Sequence, residues 1–425
     1  MIKEILSKAN LTKAYQQVVS NKGSAGVDKM PVTALKTYLQ THWERLRKAI
    51  ENGTYNPQLV LGIEIPKANG GKRLLGIPTV LDRMVQQAIH QTLSPLYEPE
   101  FSPFSYGFRP QRNAHQAVKQ ALTYINEGYQ WIIDLDLKSF FDMVNHDFLM
   151  SLLHRKIQDP ITLKLIRKYL KSGIMVGGVE QRRQSGTPQG SPLSPLLSNI
   201  ILNELDKELN KRALRYVRYA DDCSIYVKSK RAAERVLQNI TKFIETKLKL
   251  KVNKEKTKIN RPIQSTLLGY GFVPTYAKGS KGQYQLRTSE KSLKKLKDKI
   301  KQITRKTSPK TFDERIKELT AVTRGWINYF CLSSMWQKMK DLDGWTCQRL
   351  RYCIWKGWKK PNRRMRAYIQ MGIKPEVAYS WSRSRLGGWR IAQSPIMTTT
   401  VTSERLEKRG YKSLLKMFEQ VHYVS

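Results

Sequence analysis

The residues best suited to chemistry are two adjacent acids, Asp221 and Asp222, in the stretch Leu-Arg-Tyr-Val-Arg-Tyr-Ala-Asp-Asp-Cys-Ser-Ile-Tyr-Val from Leu214 to Val227. Aromatic and β-branched runs on both sides predict a hairpin with the acids at its tip. Asp is also an ordinary turn residue, so the pair alone does not define a site. A second stretch changes the weighing. Trp131 to Lys138 alternates, predicting a strand with Ile133, Leu135 and Leu137 on one face and Asp134, Asp136 and Lys138 on the other. Edge strands also carry acids on a wet face, but adjacent carboxylates repel each other unless a cation or proton intervenes. A third acid beside the pair therefore suggests a divalent-metal site. The ligands would be oxygen, because the four cysteines (Cys223, Cys331, Cys347, Cys353) form no Cys-x-x-Cys pair and the six histidines no His-x-x-x-His cluster. That cysteine usage also suits a reducing compartment.

The composition points to the partner. Among 425 residues, 76 Lys and Arg face 34 acids, a formal charge of +42. Self-repulsion on that scale opposes compaction unless the partner is a polyanion, and nucleic acid is the first choice. An anionic membrane is second, and no apolar run approaches the roughly 20 residues that span a bilayer. The first residues, Met-Ile-Lys-Glu-Ile-Leu-Ser-Lys, lack the apolar centre of a secretory signal. Hydrophobic residues at 40% supply a sizeable core.

Several elements must position the acids. Helical spacing covers residues 1 to 20, and a second helix is expected from Val32 to Ile50. Leu59 to Lys67 and Lys72 to Pro78 form a predicted hairpin around Asn69-Gly70-Gly71, gathering Lys67, Lys72 and Arg73. Those cations suit phosphate binding or a solvated basic turn equally well. A helix is expected from Asp82 to Leu96. Tyr106-Gly107-Phe108-Arg109-Pro110-Gln111-Arg112 mixes aromatics with arginines, which suits base stacking with phosphate contact, or a packed turn. Gly186-Thr187-Pro188-Gln189-Gly190 reads as a stiff loop feeding a helix with Leu196, Leu197, Ile200, Ile201, Leu205 and Leu209 inward. From Arg287 to Arg366 Lys and Arg outnumber acids roughly three to one. Three helical patterns there leave Lys291, Lys294, Lys295 and Lys301 outside a small bundle. Pro361-Asn362 marks a boundary before a basic tail, with a turn expected at Gly387-Gly388-Trp389-Arg390.

Taken in order, these blocks resemble the reverse transcriptases encoded by group II introns, of the compact bacterial class C type. The likeness rests on Gly26-Val27-Asp28, Ile65-Pro66-Lys67, Gly76-Ile77-Pro78, Tyr106 to Pro110, Asp136 to Asp142, Thr187 to Leu196, Tyr219 to Asp222, Lys256-Thr257 and Leu268-Gly269-Tyr270. No one block is specific, whereas the ordered series is. Gly325-Trp326-Ile327-Asn328-Tyr329-Phe330 resembles the thumb and maturase region of that family.

The resemblance implies an α+β right-hand polymerase. Residues 1–130 would be an N-terminal extension and fingers, 131–285 the palm, 286–360 a helical thumb and maturase region, and 361–425 a basic DNA-binding region. It makes Asp136, Asp221 and Asp222 the catalytic carboxylates, holding two Mg2+ ions. Phe141 matches the gate against the sugar 2′-hydroxyl. Lys67 and Arg73, with Lys72 as a third, match the triphosphate-binding residues. Gln189 lies where the incoming nucleotide is contacted, and Lys256 where pyrophosphate is protonated. Leu268, Gly269 and Tyr270 match the primer grip, with Tyr where Phe is frequent. Arg109, Arg112 and the four thumb lysines are candidate nucleic-acid contacts. The implied partners are intron RNA, RNA template, DNA primer or target and dNTPs, for a cytoplasmic, nucleic-acid-associated bacterial protein. No Cys follows Cys353 and only His422 follows His154, so no cysteine-paired nuclease domain is expected. The alternatives are a free-standing reverse transcriptase of the defence or diversity-generating kind, and a splicing-only maturase that binds RNA over an idle palm.

Overall fold

The structure, a computed structural model, describes residues 1–66, 70–181, 185–276 and 282–422. By contacts the chain divides into two compact units, Met1–Arg261 and Pro262–Ser425.

The first unit is built around an antiparallel sheet in the order β6-β7-β3-β8, with β3 at Trp131–Leu135, β6 at Arg215–Tyr219, β7 at Asp222–Val227 and β8 at Lys258–Asn260. Ile132 and Ile133 are both fully buried, so β3 is covered on both faces and not wet on one, as alternation alone suggests. The helix Lys230–Thr246 packs on β3 and β7, and the helix Ala114–Asn126 packs beside β6. The latter begins at Ala114 because Asn113 and Gln116 form a reciprocal capping box. β3 is shorter than its alternating pattern. It stops at Leu135, and Leu137 makes one isolated bridge to Val252.

A second sheet, in the order β2-β1-β4-β5, carries the expected hairpin of β1 (Val60–Pro66) and β2 (Lys72–Ile77), joined in parallel to β4 (Ile174–Val176) and then to β5 (Val179–Gln181). The N-terminal stretch is two helices, Ile2–Ile5 and Lys8–Ser20, because Ser7 stops the first and caps the second. The helix expected from Val32 opens as a 3-10 turn and runs as α-helix over Leu35–Glu51. Thr79 caps the next helix, Val80–Tyr97, two residues ahead of its expected start.

In the second unit, β9 (Thr266–Leu267), β10 (Tyr270–Pro274) and β11 (Tyr284–Thr288) form a sheet in the order β11-β10-β9. Contacts group these strands with the helices that follow. The three expected helices are Glu290–Ile303, Phe312–Phe330 and Trp336–Gly357, and shorter helices follow from Pro361. The turn expected at Gly387-Gly388 is the start of one of them, Gly388–Gln393. Among the described residues no helix is long and apolar enough to cross a membrane.

Candidate active site

Antiparallel register gathers the three carboxylates at one end of the central sheet. β6 and β7 pair from Arg215↔Tyr226 to Tyr219↔Asp222, leaving Ala220 and Asp221 as the turn. β3 pairs with β7 up to Leu135↔Cys223, so one more step sets Asp136 across from Asp222. The segment after Leu250 holds Asp136 from the other side. Asn253 N–H donates to the Asp136 carbonyl at 2.8 Å, and the Asp136 N–H donates to Thr257 Oγ1 at 3.1 Å. The same segment brings Lys256 Nζ to 3.6 Å from Asp136 Oδ2. Asp134, one pleat back, accepts from Ser224 Oγ at 3.1 Å and from Asn260 Nδ2 at 3.0 Å, so it serves the sheet.

The Asp222 carboxyl is pushed up to about 6, first by partial desolvation in the cleft, then by Asp221, Asp136 and Asp134, while Lys256 pulls it down. A carboxyl raised in the folded state resists ionisation there, so its cost is absent below about pH 4 and complete above about pH 6. In chelator, Asp222→Asn should therefore melt above the wild type at pH 7, with the gap closing by pH 4. Thermal melts of both proteins across that range check this, and a gap independent of pH contradicts it.

Three residues that sequence reasoning missed, Arg218, Asn199 and Asp206, hold the turn. Arg218, on β6, is fully buried and forms a forked pair with Asp206, its Nε 2.8 Å from Oδ1 and its Nη2 2.6 Å from Oδ2. Its Nη1 donates to Asn199 Oδ1 at 3.0 Å and to the Ala220 carbonyl at 2.9 Å. Ala220 has φ of 56°, a left-handed conformation that costs a non-glycine residue about 1 to 2 kcal/mol. Gly107 lies directly beneath, where a Cβ would stand 2.3 Å from Ala220 N, and its carbonyl accepts from Asn199 Nδ2 at 2.9 Å. The Tyr-Gly-Phe-Arg loop is thus a support for the acidic turn.

That packing corrects one expectation. Arg109 is buried, not an exposed cation: Nη2 lies 2.8 Å from Glu98 Oε1, and Nη1 donates to the carbonyls of Ser102 and Ser105 at 2.5 and 2.7 Å. It clamps its own loop. Arg112 is half-buried over the Tyr106 ring.

The Thr187-Pro188-Gln189-Gly190 loop is fastened on two sides. Thr187 N–H donates to Phe141 O at 2.6 Å, Gly186 N–H to Val144 O at 2.8 Å, and Gly76 N–H of β2 to Gln189 O at 2.7 Å. A Cβ on Gly190 would stand 2.5 Å from Gly76 O, which explains a glycine at φ of 112° there. Phe141 and Gln189 consequently line one cleft of about 440 Å³ with Phe108, Arg83, Gln87 and Pro192.

Lys72 and Arg73 are neighbours on β2, so they point to opposite faces. Lys72 Nζ is 2.5 Å from Glu64 Oε2, whereas Arg73 is exposed and, among the described residues, without an ion pair. Lys67 lies outside the described residues.

In the second unit Tyr270 is fully buried, its hydroxyl donating to the Tyr329 carbonyl and its ring 5.1 Å from that of Phe330. Its side chain is therefore not a surface contact, and what the Leu268-Gly269 turn presents is mainly backbone, held by Tyr329 Oη donating to Leu268 O at 2.9 Å. Lys291, Lys294, Lys295 and Lys301 are all exposed, as their helical spacing requires.

Residues 65–272 match the family Reverse transcriptase (RNA-dependent DNA polymerase), and residues 293–369 match the group II intron maturase-specific domain. The chain is 36% identical over 289 residues to protein YkfC of Escherichia coli, covering 59% of this chain and 76% of that protein. It is 33% identical over 323 residues to the group II intron-encoded protein LtrA of Lactococcus lactis, covering 60% of this chain and 54% of LtrA. An uncharacterized 91 kDa protein in the cob intron of Schizosaccharomyces pombe is 35% identical over 203 residues, covering 48% of this chain and 25% of that protein. The chain belongs to the group II intron-encoded reverse transcriptase and maturase family. It spans about half the length of LtrA.

Reverse transcriptases as a family work with divalent metal ions. Among the described residues no three His, Cys, Asp or Glu side chains converge closely enough to hold an ion as they stand. The donor chemistry nonetheless fits a hard cation: oxygen ligands only, with one carboxyl raised by desolvation and then by its acidic neighbours.

Proposed function

We propose that the chain is an RNA-directed DNA polymerase that also binds the RNA of its parent intron and assists its splicing and mobility. The observation that carries this reading is the strand register that sets Asp136, Asp221 and Asp222 at one sheet end, together with the elements that bring Phe141 and Gln189 into one cleft. Two Mg2+ ions on those carboxylates would supply Lewis-acid activation of a primer 3′-hydroxyl and neutralise charge on the triphosphate. Asp221 and Asp222, on a turn fixed by Arg218, would keep their oxygens in place without reorganisation. Arg73 would hold triphosphate oxygens from the fingers hairpin, and Lys67 is the second residue expected in that role. Lys256, exposed beside Asp136, would donate a proton to the departing pyrophosphate. Gln189 would contact the incoming nucleotide, and the Leu268-Gly269 turn would contact the primer.

In this reading residues 1–130 are the N-terminal extension and fingers, 131–285 the palm, 286–360 the thumb and maturase region, and 361–425 a DNA-binding region. The exposed thumb lysines give RNA a sequence-independent electrostatic hold. The primary test is extension of a DNA primer on an RNA template with dNTPs and Mg2+. Extension that stops in chelator supports the reading, and none under any divalent ion refutes it.

Sugar choice gives a sharper check on Phe141. Its ring packs edge-on against Phe140, with centroids 5.2 Å apart, which restrains it where it lines the cleft. Phe141→Ala should raise ribonucleotide use relative to deoxynucleotide use by roughly tenfold or more, while much of the dNTP activity survives. The kcat/KM ratio for dNTP and rNTP in both proteins decides it, and an unchanged ratio would leave Phe141 a packing residue.

A further inference from the structure

The end of the central sheet opposite the carboxylates gathers cations. Arg215 opens β6 opposite Tyr226, Lys228 follows the last residue of β7, and Arg261 follows Asn260, which pairs with Ile132 near the start of β3. The antiparallel pairing therefore brings all three to the same end. β3 separates it from Asp136 by roughly 17 Å, taking about 3.3 Å per residue. The three cations span the sheet from one edge strand to the other, about 14 Å at the usual strand spacing.

Aromatic rings hold each of them. Lys228 Nζ stands 5.1 Å from the Tyr129 ring centre, and Arg215 Cζ stands 6.0 Å from the same ring and 5.9 Å from that of Tyr124. Arg261 Cζ is 5.2 Å from the Trp131 ring, and its Nη2 donates to Gln130 Oε1 at 3.2 Å. All three residues are exposed, and among the described residues none of them is in an ion pair. Glu127 is the acid at the foot of this cluster, where it acts on Tyr124.

Arg215 and Lys228, gathered at one ring, repel each other, and a surface with no need of them would intersperse acids. The rings lower the conformational entropy that long side chains lose on binding, and they leave the charged heads facing water. A row this wide suits a run of phosphates better than one small anion. We propose that this sheet end is a docking surface for the phosphate backbone of folded RNA, separate from the polymerase cleft. It rests on the reading above, in which a structured RNA is a partner.

The test uses the full chain carrying Arg215→Gln, Lys228→Gln and Arg261→Gln together. The probes are a transcript of the DNA flanking the coding segment, an unrelated RNA of equal length, duplex DNA, and a short RNA template annealed to a DNA primer. Affinity for the flanking transcript should fall about tenfold or more near physiological salt. The slope of log affinity against log salt should flatten by about two to three, as three phosphate contacts are lost. Extension on the short primer–template should stay within about twofold of wild type, and Arg215→Lys with Arg261→Lys should keep the wild-type slope. Equal losses on the transcript and the short primer–template would put the patch on the polymerase path and overturn the proposal. So would an unchanged slope, or a loss confined to duplex DNA. A wild type that neither binds RNA nor extends primers overturns the functional reading and this surface with it. A wild type that does both, with an unaffected triple variant, overturns the surface alone.

Discussion

Asp222→Asn is expected to slow RNA-templated primer extension a thousandfold or more while leaving the fold intact. The reason is local. Asp222 stands at the start of β7 opposite Tyr219, one register step from Asp136, so the substitution removes one negative oxygen from the end of the sheet where three acids meet. If those acids hold the metal that stabilises charge in the transition state, losing one costs several kcal/mol of barrier, and each 1.36 kcal/mol is about tenfold in rate. Single-turnover extension measures the chemistry apart from product release. A variant within about tenfold of wild type would remove Asp222 from the catalytic set. Because Asn removes the desolvation and repulsion that raise the Asp222 carboxyl, loss of activity cannot be put down to loss of stability at pH 7.

The second large effect belongs to the buried pair behind the turn. Removing one partner leaves the other charged and buried, a loss of about 3 to 5 kcal/mol. Arg218→Met should accordingly depress the melting temperature strongly. Arg218→Met with Asp206→Leu removes both charges and should recover much of that stability, since replacing a buried pair by apolar groups is often near neutral. Polymerase activity should stay low in the double variant, because the donor to the Ala220 carbonyl is still missing and the left-handed turn loses its restraint. A double variant with wild-type stability and wild-type extension would show that Arg218 serves folding alone. Recovery of stability without extension is the outcome the geometry predicts.

These two cases also mark what the sequence discloses. The acidic turn and its partner strand were legible because alternation and turn chemistry are local, although the turn falls on Ala220 and Asp221, and Asp222 already opens β7. The helix stripes were legible for the same reason, down to the exposed lysines of Glu290–Ile303. Arg218 was not legible. An arginine inside an aromatic strand reads as a wet-face residue, and its partners Asn199 and Asp206 belong to another element. A signal did exist there. Asn199 and Asp206 are seven residues apart, hence on one helical stripe with Leu202 and Asn203, and that stripe is buried. Polar groups on a core stripe require partners, and the strand arginine is the available one. Arg109 misled in the opposite sense, since aromatic residues beside arginine describe a stacked nucleobase site and a packed loop equally well. Only the Glu98 carboxylate and the two loop carbonyls around its guanidinium decide for the loop. Lys72 stood third behind Lys67 and Arg73, and the pleat separates it from Arg73 on the opposite face of β2.

The division between a catalytic sheet end and RNA-docking surfaces elsewhere is tested most directly by one protein, Asp221→Asn with Asp222→Asn, assayed for extension and for binding of the flanking transcript in the same buffer. The account predicts that extension is lost while affinity and its salt dependence match the wild type, because neither acid touches a docking surface. Extension at near wild-type rate, or RNA binding lost as completely as extension, would contradict it.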